Sequence, residues 1–321
     1  MSDTTLSFAA EFDKADPAAW HATLRRVGEE FGYVEDLGPG HTACFLDAGT
    51  RLLVTFENAQ TLRRSTPDGA PRGFAFAKHE GWSHLGLISE GESWFREPRI
   101  FGYIDRLIDD GFFEDFDEVL FYGAHAGGYA AAAYSVAAPG ARVLAQRPQA
   151  TLDPRIAGFD TRYTAQRRTD FTSRYGYAPD MLDAAAQAWI VFDPMQRLDA
   201  IHAALFTRAN VTPLRCMGLG ARLDQTFDAL GMHDDLLRAA MAGTLDTLGF
   251  ARMIRARRNN AGYLRAMYHG AVRSGHDQLA ANLCASVLRG GSDDFFADKL
   301  AELATRGVTP QANLPRSRAA E

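Results

Sequence analysis

The stretch that decides the fold runs from Glu118 to Val136: "EVLFYGAHAGGYAAAAYSV". A strand-like apolar run enters a glycine-rich turn, and an alanine-rich helix leaves it. Gly123 and Gly127 hold the outer positions of the turn, and His125 stands at its apex.

Working outward, the flanking chain repeats a strand-then-helix rhythm. Short apolar runs occur at 51–58, 83–91, 118–125, 142–149, 188–194 and 211–218. Several are continuous rather than alternating, as expected for strands buried on both faces of a parallel sheet. The segment 42–49 predicts a further, antiparallel edge strand. Helices fill the gaps, among them 97–111, where Ile100, Ile104, Leu107 and Ile108 share a face and Gly111 is a C-cap. This alternation predicts a three-layer α/β domain with a mostly parallel sheet.

Four segments follow from the same pattern. An N-terminal helical segment occupies 1–40, with Trp20, Leu24, Val27 and Phe31 at helical spacing. The α/β domain covers 41–235, and its polar stretch 154–186 breaks the rhythm as a small lid. Residues 236–308 hold helical patterns and no strand, and are expected as an all-helical appendage. Residues 309–321 are expected as a flexible tail.

Composition is that of a globular protein, 46% hydrophobic and 23% charged. No apolar run nears the roughly 18 residues of a membrane span, and the acidic N-terminal stretch does not read as a secretory signal. Three scattered cysteines (Cys44, Cys216, Cys284) form neither a zinc spacing nor a disulfide framework. A soluble cytoplasmic protein is expected, with no membrane partner and no nucleic-acid partner. The net charge of −6 conceals a basic C-terminal end around Arg252, Arg255, Arg257 and Arg258. That patch reads as a solvated helix face, or as a surface for an anionic partner.

The turn "GAHAGGYAA" resembles the nucleophile elbow of the α/β-hydrolases, written G-x-S-x-G, as found in divergent bacterial members of that superfamily. The resemblance covers roughly 50–235 and implies the α/β-hydrolase fold. It also implies a cleft lined by Glu57, Asn58, Ala126 and Gly127 at the oxyanion loop and elbow. Ser89, Glu90 and Trp94, at the end of the second sheet strand, are expected to face the same cleft. The acid of such a site would be Asp193, directly after a strand, with Asp199 opening the next helix. Here the apex is His125 rather than serine, and residues 217–222, where the C-terminal histidine belongs, contain none. His233 lies on or beyond the following helix. Loss of nucleophile and base together excludes the ordinary serine mechanism.

Three functional readings stay open. One is a non-catalytic or strongly altered member, a pseudoenzyme binding a small molecule or protein at the former cleft. A second is a hydrolase or transferase acting on an ester or phosphoryl substrate through His125 and Asp193. The third is an interaction scaffold working through the basic helices. Whether the chain is an enzyme is left undecided. No cofactor and no metal is expected: His79 and His84 with Glu80 and Glu90 match no defensible ligand spacing. His202 and Cys284 sit in apolar helical patterns and read as core. Relatives are sometimes labelled phosphoadenosine-phosphosulfate reductases, but that family's Ser-Gly-Gly phosphate loop and Glu-Cys-Gly motif are both missing.

Overall fold

A computed structural model describes residues 5–8 and 10–311. Most of the expected tail therefore lies outside the described residues. Eight strands are present: β1 (Gly32–Asp36), β2 (His41–Leu46), β3 (Arg51–Asn58), β4 (Ser83–Ser89), β5 (Glu118–Ala124), β6 (Arg142–Gln146), β7 (Gln187–Phe192) and β8 (Val211–Arg215). They form one sheet in the order β1-β2-β4-β3-β5-β6-β7-β8. The pairs β1–β2 and β2–β4 are antiparallel and the rest parallel. Helices cover the sheet, which has the strand order of an α/β-hydrolase sheet. The expected edge strand is β2, but it is not at the edge. β1 lies outside it, within a segment read from sequence as helical.

The central strands are apolar because they are closed in on both faces: β4 is buried throughout, and β3 over Leu52–Phe56. The helix Ala126–Tyr134 is buried from Gly127 to Tyr134. Its run of alanines lets the backbone approach the sheet closely, and its two tyrosines send their hydroxyls to backbone carbonyls. Tyr129 donates to Tyr175 O and Tyr134 to Phe95 O, each at 2.5 Å. The N-terminal helix Pro17–Phe31 is capped by Asp16, whose side chain accepts from Ala18 N. It buries Trp20, Leu24 and Val27, and Trp20 Nε1 donates to Gly69 O at 2.7 Å.

The polar excursion 154–186 is held down by two buried or half-buried arginines. Arg96 donates to Asp170 O at 2.8 Å, Arg174 O at 2.7 Å and Ser173 Oγ at 2.9 Å. Arg162 pairs with Asp160 at 2.7 Å and with Asp199 at 2.6 Å. His202 is buried beneath them, accepting from Ala150 N at Nδ1 and donating to Asp160 from Nε2. An apolar helix pattern thus holds a histidine with both ring nitrogens satisfied.

The chain divides into two compact units at Ile254/Arg255. The helix His233–Met241 belongs to the first, because it packs on β5 and β6. The break therefore falls later than residue 235. The second unit contains the helices Ala261–Arg273, Asp277–Leu288 and Asp294–Thr305, around Tyr268, Cys284, Phe296 and Leu303. Among the described residues, no helix is long and apolar enough to cross a membrane.

Candidate functional site

The elbow keeps its geometry. His125 follows β5 with φ 59° and ψ −119°, a conformation that costs a non-glycine residue on the order of 1–3 kcal/mol. The turn is clamped from both sides. A Cβ at Gly123 would meet the Gly127 carbonyl, and one at Gly127 would meet the Phe56 carbonyl of β3, both closer than 3.0 Å. His125 N–H closes the turn on Gln146 O of β6 at 2.8 Å.

The imidazole at the apex is a fixed wall of the site. Its Nε2 shares a 2.5 Å hydrogen bond with the hydroxyl of Tyr163, which reaches over from the excursion. Trp94, fully buried, packs against both rings at 5.3 and 4.8 Å between centroids. Burial, then the charges of Arg147 and Arg162, push the His125 pKa down to about 3, and burial pushes the Tyr163 hydroxyl up to about 12. Both are neutral at physiological pH.

Asp193 is spent elsewhere. Its carboxylate accepts backbone N–H groups from Met195, Gly218 and Gly220, at 2.9, 3.1 and 2.7 Å. It thus organises the loop where the missing histidine would stand, and it is not a hydrogen-bond partner of His125. The expected pairing of these two residues is replaced by His125 with Tyr163.

A cleft of about 380 Å³ opens beside the elbow, at the carboxyl ends of β3, β5 and β6. Glu57, Asn58, Ser89, His125, Ala126 and Gly127 line it. Asn58 has a structural task as well: its side chain caps the following helix at Thr61 N, 2.9 Å. Ser89 is buried and donates to Glu57 O at 3.4 Å. Glu90 does not line this cleft; it pairs with His21 at 2.6 Å. Trp94 stands behind His125 instead of facing the opening. Burial raises the Glu57 carboxyl, which accepts from Thr55 Oγ1 at 2.7 Å and Arg72 N at 3.1 Å.

Sequence reasoning missed the polar cluster at the cleft floor. Tyr122, on β5, has its hydroxyl 2.6 Å from His233 Nε2, and His233 Nδ1 is 2.8 Å from Asp228 Oδ1. Arg72 grips Asp228 through two nitrogens at 2.9 and 2.8 Å. Burial pushes the Asp228 carboxyl up, but the hydrogen bonds from His233 and Arg72 outweigh it and hold it at about 2. Burial, then Arg72, lowers His233, and burial raises Tyr122. An ionised Asp228 accepts a hydrogen bond from the Nδ1–H of neutral His233, leaving the Nε2 lone pair for the Tyr122 hydroxyl. Gln146 Nε2 donates to the same atom at 3.2 Å.

The remaining candidates are dispersed. His84 is buried against Thr55 Oγ1 at 2.9 Å, and among the described residues no group of three or more His, Cys, Asp or Glu gathers to hold a metal. Arg252 ends a helix of the first unit, whereas Arg255, Arg257 and Arg258 lie in a 3₁₀ stretch assigned to the second. Arg257 stacks over Tyr263 at 5.4 Å.

No family model and no curated protein matches the sequence. Among solved structures, the chain is similar to the capsule O-acetyltransferase of Neisseria meningitidis serogroup A. That likeness has 12% identity over 56% of this chain and 84% of that one, with a TM-score of 0.38. It is similar to carboxyl esterase 2 of the mycorrhizal fungus Tuber melanosporum at 14% identity, over 70% and 86% of the two chains, TM-score 0.37. A third is brefeldin A esterase, a bacterial homologue of human hormone sensitive lipase, at 13% identity over 78% and 90%, TM-score 0.38. Likenesses this distant carry no argument about reaction or substrate. The α/β-hydrolase-like fold stands on strand order and on the elbow itself.

Proposed function

We propose that this protein is a strongly altered α/β-hydrolase-fold protein that takes a small molecule into the cleft beside the elbow and does not act on it through His125. One observation carries this reading: the cleft stays open while the apex imidazole is hydrogen-bonded to Tyr163. A nucleophile or base at the apex needs a free lone pair aimed at the ligand and an acid to orient it. The carboxylate at the acid position, Asp193, accepts loop amides instead. Four arginines and four carboxylates line the cleft, so its formal charge cancels and an uncharged polar ligand suits it.

Blocking the mouth tests this. Gly91 lines the cleft, is exposed, and has nothing within 4 Å of the position of a Cβ, so a large side chain fits there without displacing the core. Ligand-observed NMR with a panel of small uncharged esters and amides is expected to find binders that Gly91→Trp weakens at least roughly tenfold. Binding undiminished in the variant contradicts the cleft as the site.

A further inference from the structure

We infer that Tyr122, His233 and Asp228 form a nucleophile–base–acid relay at the cleft floor, with Tyr122 Oη receiving the acyl group of a small uncharged carboxylic ester. This rests on the reading of the cleft as a small-molecule site and assigns its chemistry.

The geometry is that of an activated hydroxyl. The nucleophile–base distance is 2.6 Å and the base–acid distance 2.8 Å, both within hydrogen-bond reach. Arg72 keeps Asp228 ionised, which fixes the tautomer and leaves Nε2 of His233 able to take a proton. Tyr122 pairs with Thr55 of β3 across the sheet and is one of the residues that line the cleft.

A second observation points to a ligand independently. Gln146 is fully buried and lines the cleft, and its Oε1 has no hydrogen-bond partner among the described residues. Turned round, the amide would set its carbonyl oxygen against the lone pair of His233 Nε2. An unpaired carbonyl oxygen in that place is an acceptor waiting for an O–H or N–H donor. The water or alcohol that removes the acyl group is such a donor.

The step balances within the site. Tyr122 Oη forms a bond to the acyl carbon as the bond between that carbon and the leaving oxygen breaks. The Tyr122 proton passes to His233 Nε2 and from there to the leaving alkoxide, releasing an alcohol. The resulting phenolic ester is itself an activated acyl donor. Water or a second alcohol, its hydroxyl on Gln146 Oε1, then gives a proton to His233 and takes the acyl group. Tyr122 recovers its proton from His233, and no redox partner is needed.

The test uses the full chain and 4-nitrophenyl acetate. Released nitrophenol is followed by absorbance, and the acetyl group is located by peptide mass spectrometry. Acetyl on Tyr122 is expected, with release lost in Tyr122→Phe and slowed roughly 100-fold in His233→Gln. Acetyl found only on lysines, the N-terminus or His125, or nitrophenol release unchanged in Tyr122→Phe, overturns the relay. Should either variant fail to fold, the position of the acetyl group on the unaltered protein decides alone. Binding of the unreactive amide 4-nitroacetanilide separates the two readings. If it binds in the cleft and Tyr122 stays unlabelled, the relay is wrong and the cleft stands. If neither binding nor labelling occurs, both fall.

Discussion

Alanine at Gly127 is expected to cost about 4 kcal/mol or more, enough to remove most soluble protein from an expression culture. The added methyl group would run into the carbonyl of Phe56, which is backbone of a central strand and cannot swing aside. Its neighbour Gly123 is clamped in the same way by the Gly127 carbonyl. The elbow is therefore built by mutual close approach of two strands and a helix start, whatever residue stands at the apex. Gly102 is the control. It lies exposed in the helix Pro98–Asp109 with open space around it, so Gly102→Ala is expected to gain about 0.5–1 kcal/mol. Chemical denaturation of the two variants side by side measures the difference. Equal stability would mean that the elbow is loose.

Removing Trp94 is expected to cost about 3–5 kcal/mol, the range for truncating a fully buried large aromatic ring. Part of that loss is the cavity left beside His125 and Tyr163, and part is the unpaired Gln149 Oε1, now 3.3 Å from the indole N–H. Trp94→Phe keeps most of the ring volume and is expected to cost about half as much. A urea titration reads both variants. The larger loss in Trp94→Ala would identify this side chain as the support that holds the apex imidazole against Tyr163. A loss under about 1 kcal/mol would say that the site collapses freely and that the apex is not held.

The parallel core was legible because burial on both faces writes itself as unbroken apolar runs, and β3 to β8 lie within or beside the segments so marked. β1 was not, since "GYVED" is short, half exposed and ends on two acids, and it follows a long helix pattern without a break. The decisive contacts of the cleft were not legible. Tyr163 reaches His125 across 38 residues and His233 reaches Tyr122 across 111, distances at which no local spacing carries information. One signal did exist for Tyr122. A tyrosine inside a continuously apolar strand must hide its hydroxyl on a partner. His233 lies well past the segment 217–222, and the helix it opens folds back onto β5 and β6.

The central claim is that the elbow survives with its apex residue turned into a fixed, neutral wall of a cleft. Imidazole ¹⁵N NMR of His125 as a function of pH addresses this directly. Because burial lowers the folded-state pKa, the unfolded chain takes up a proton below about 6.5 that the folded chain refuses. The stability associated with neutral His125 is then complete above that pH and is lost progressively as pH falls toward about 3. A neutral imidazole in one hydrogen-bonded tautomer is expected from pH 8 down to about 4. A titration midpoint near the ordinary histidine value of about 6.5 would contradict it, because the apex would then be solvated and free to react.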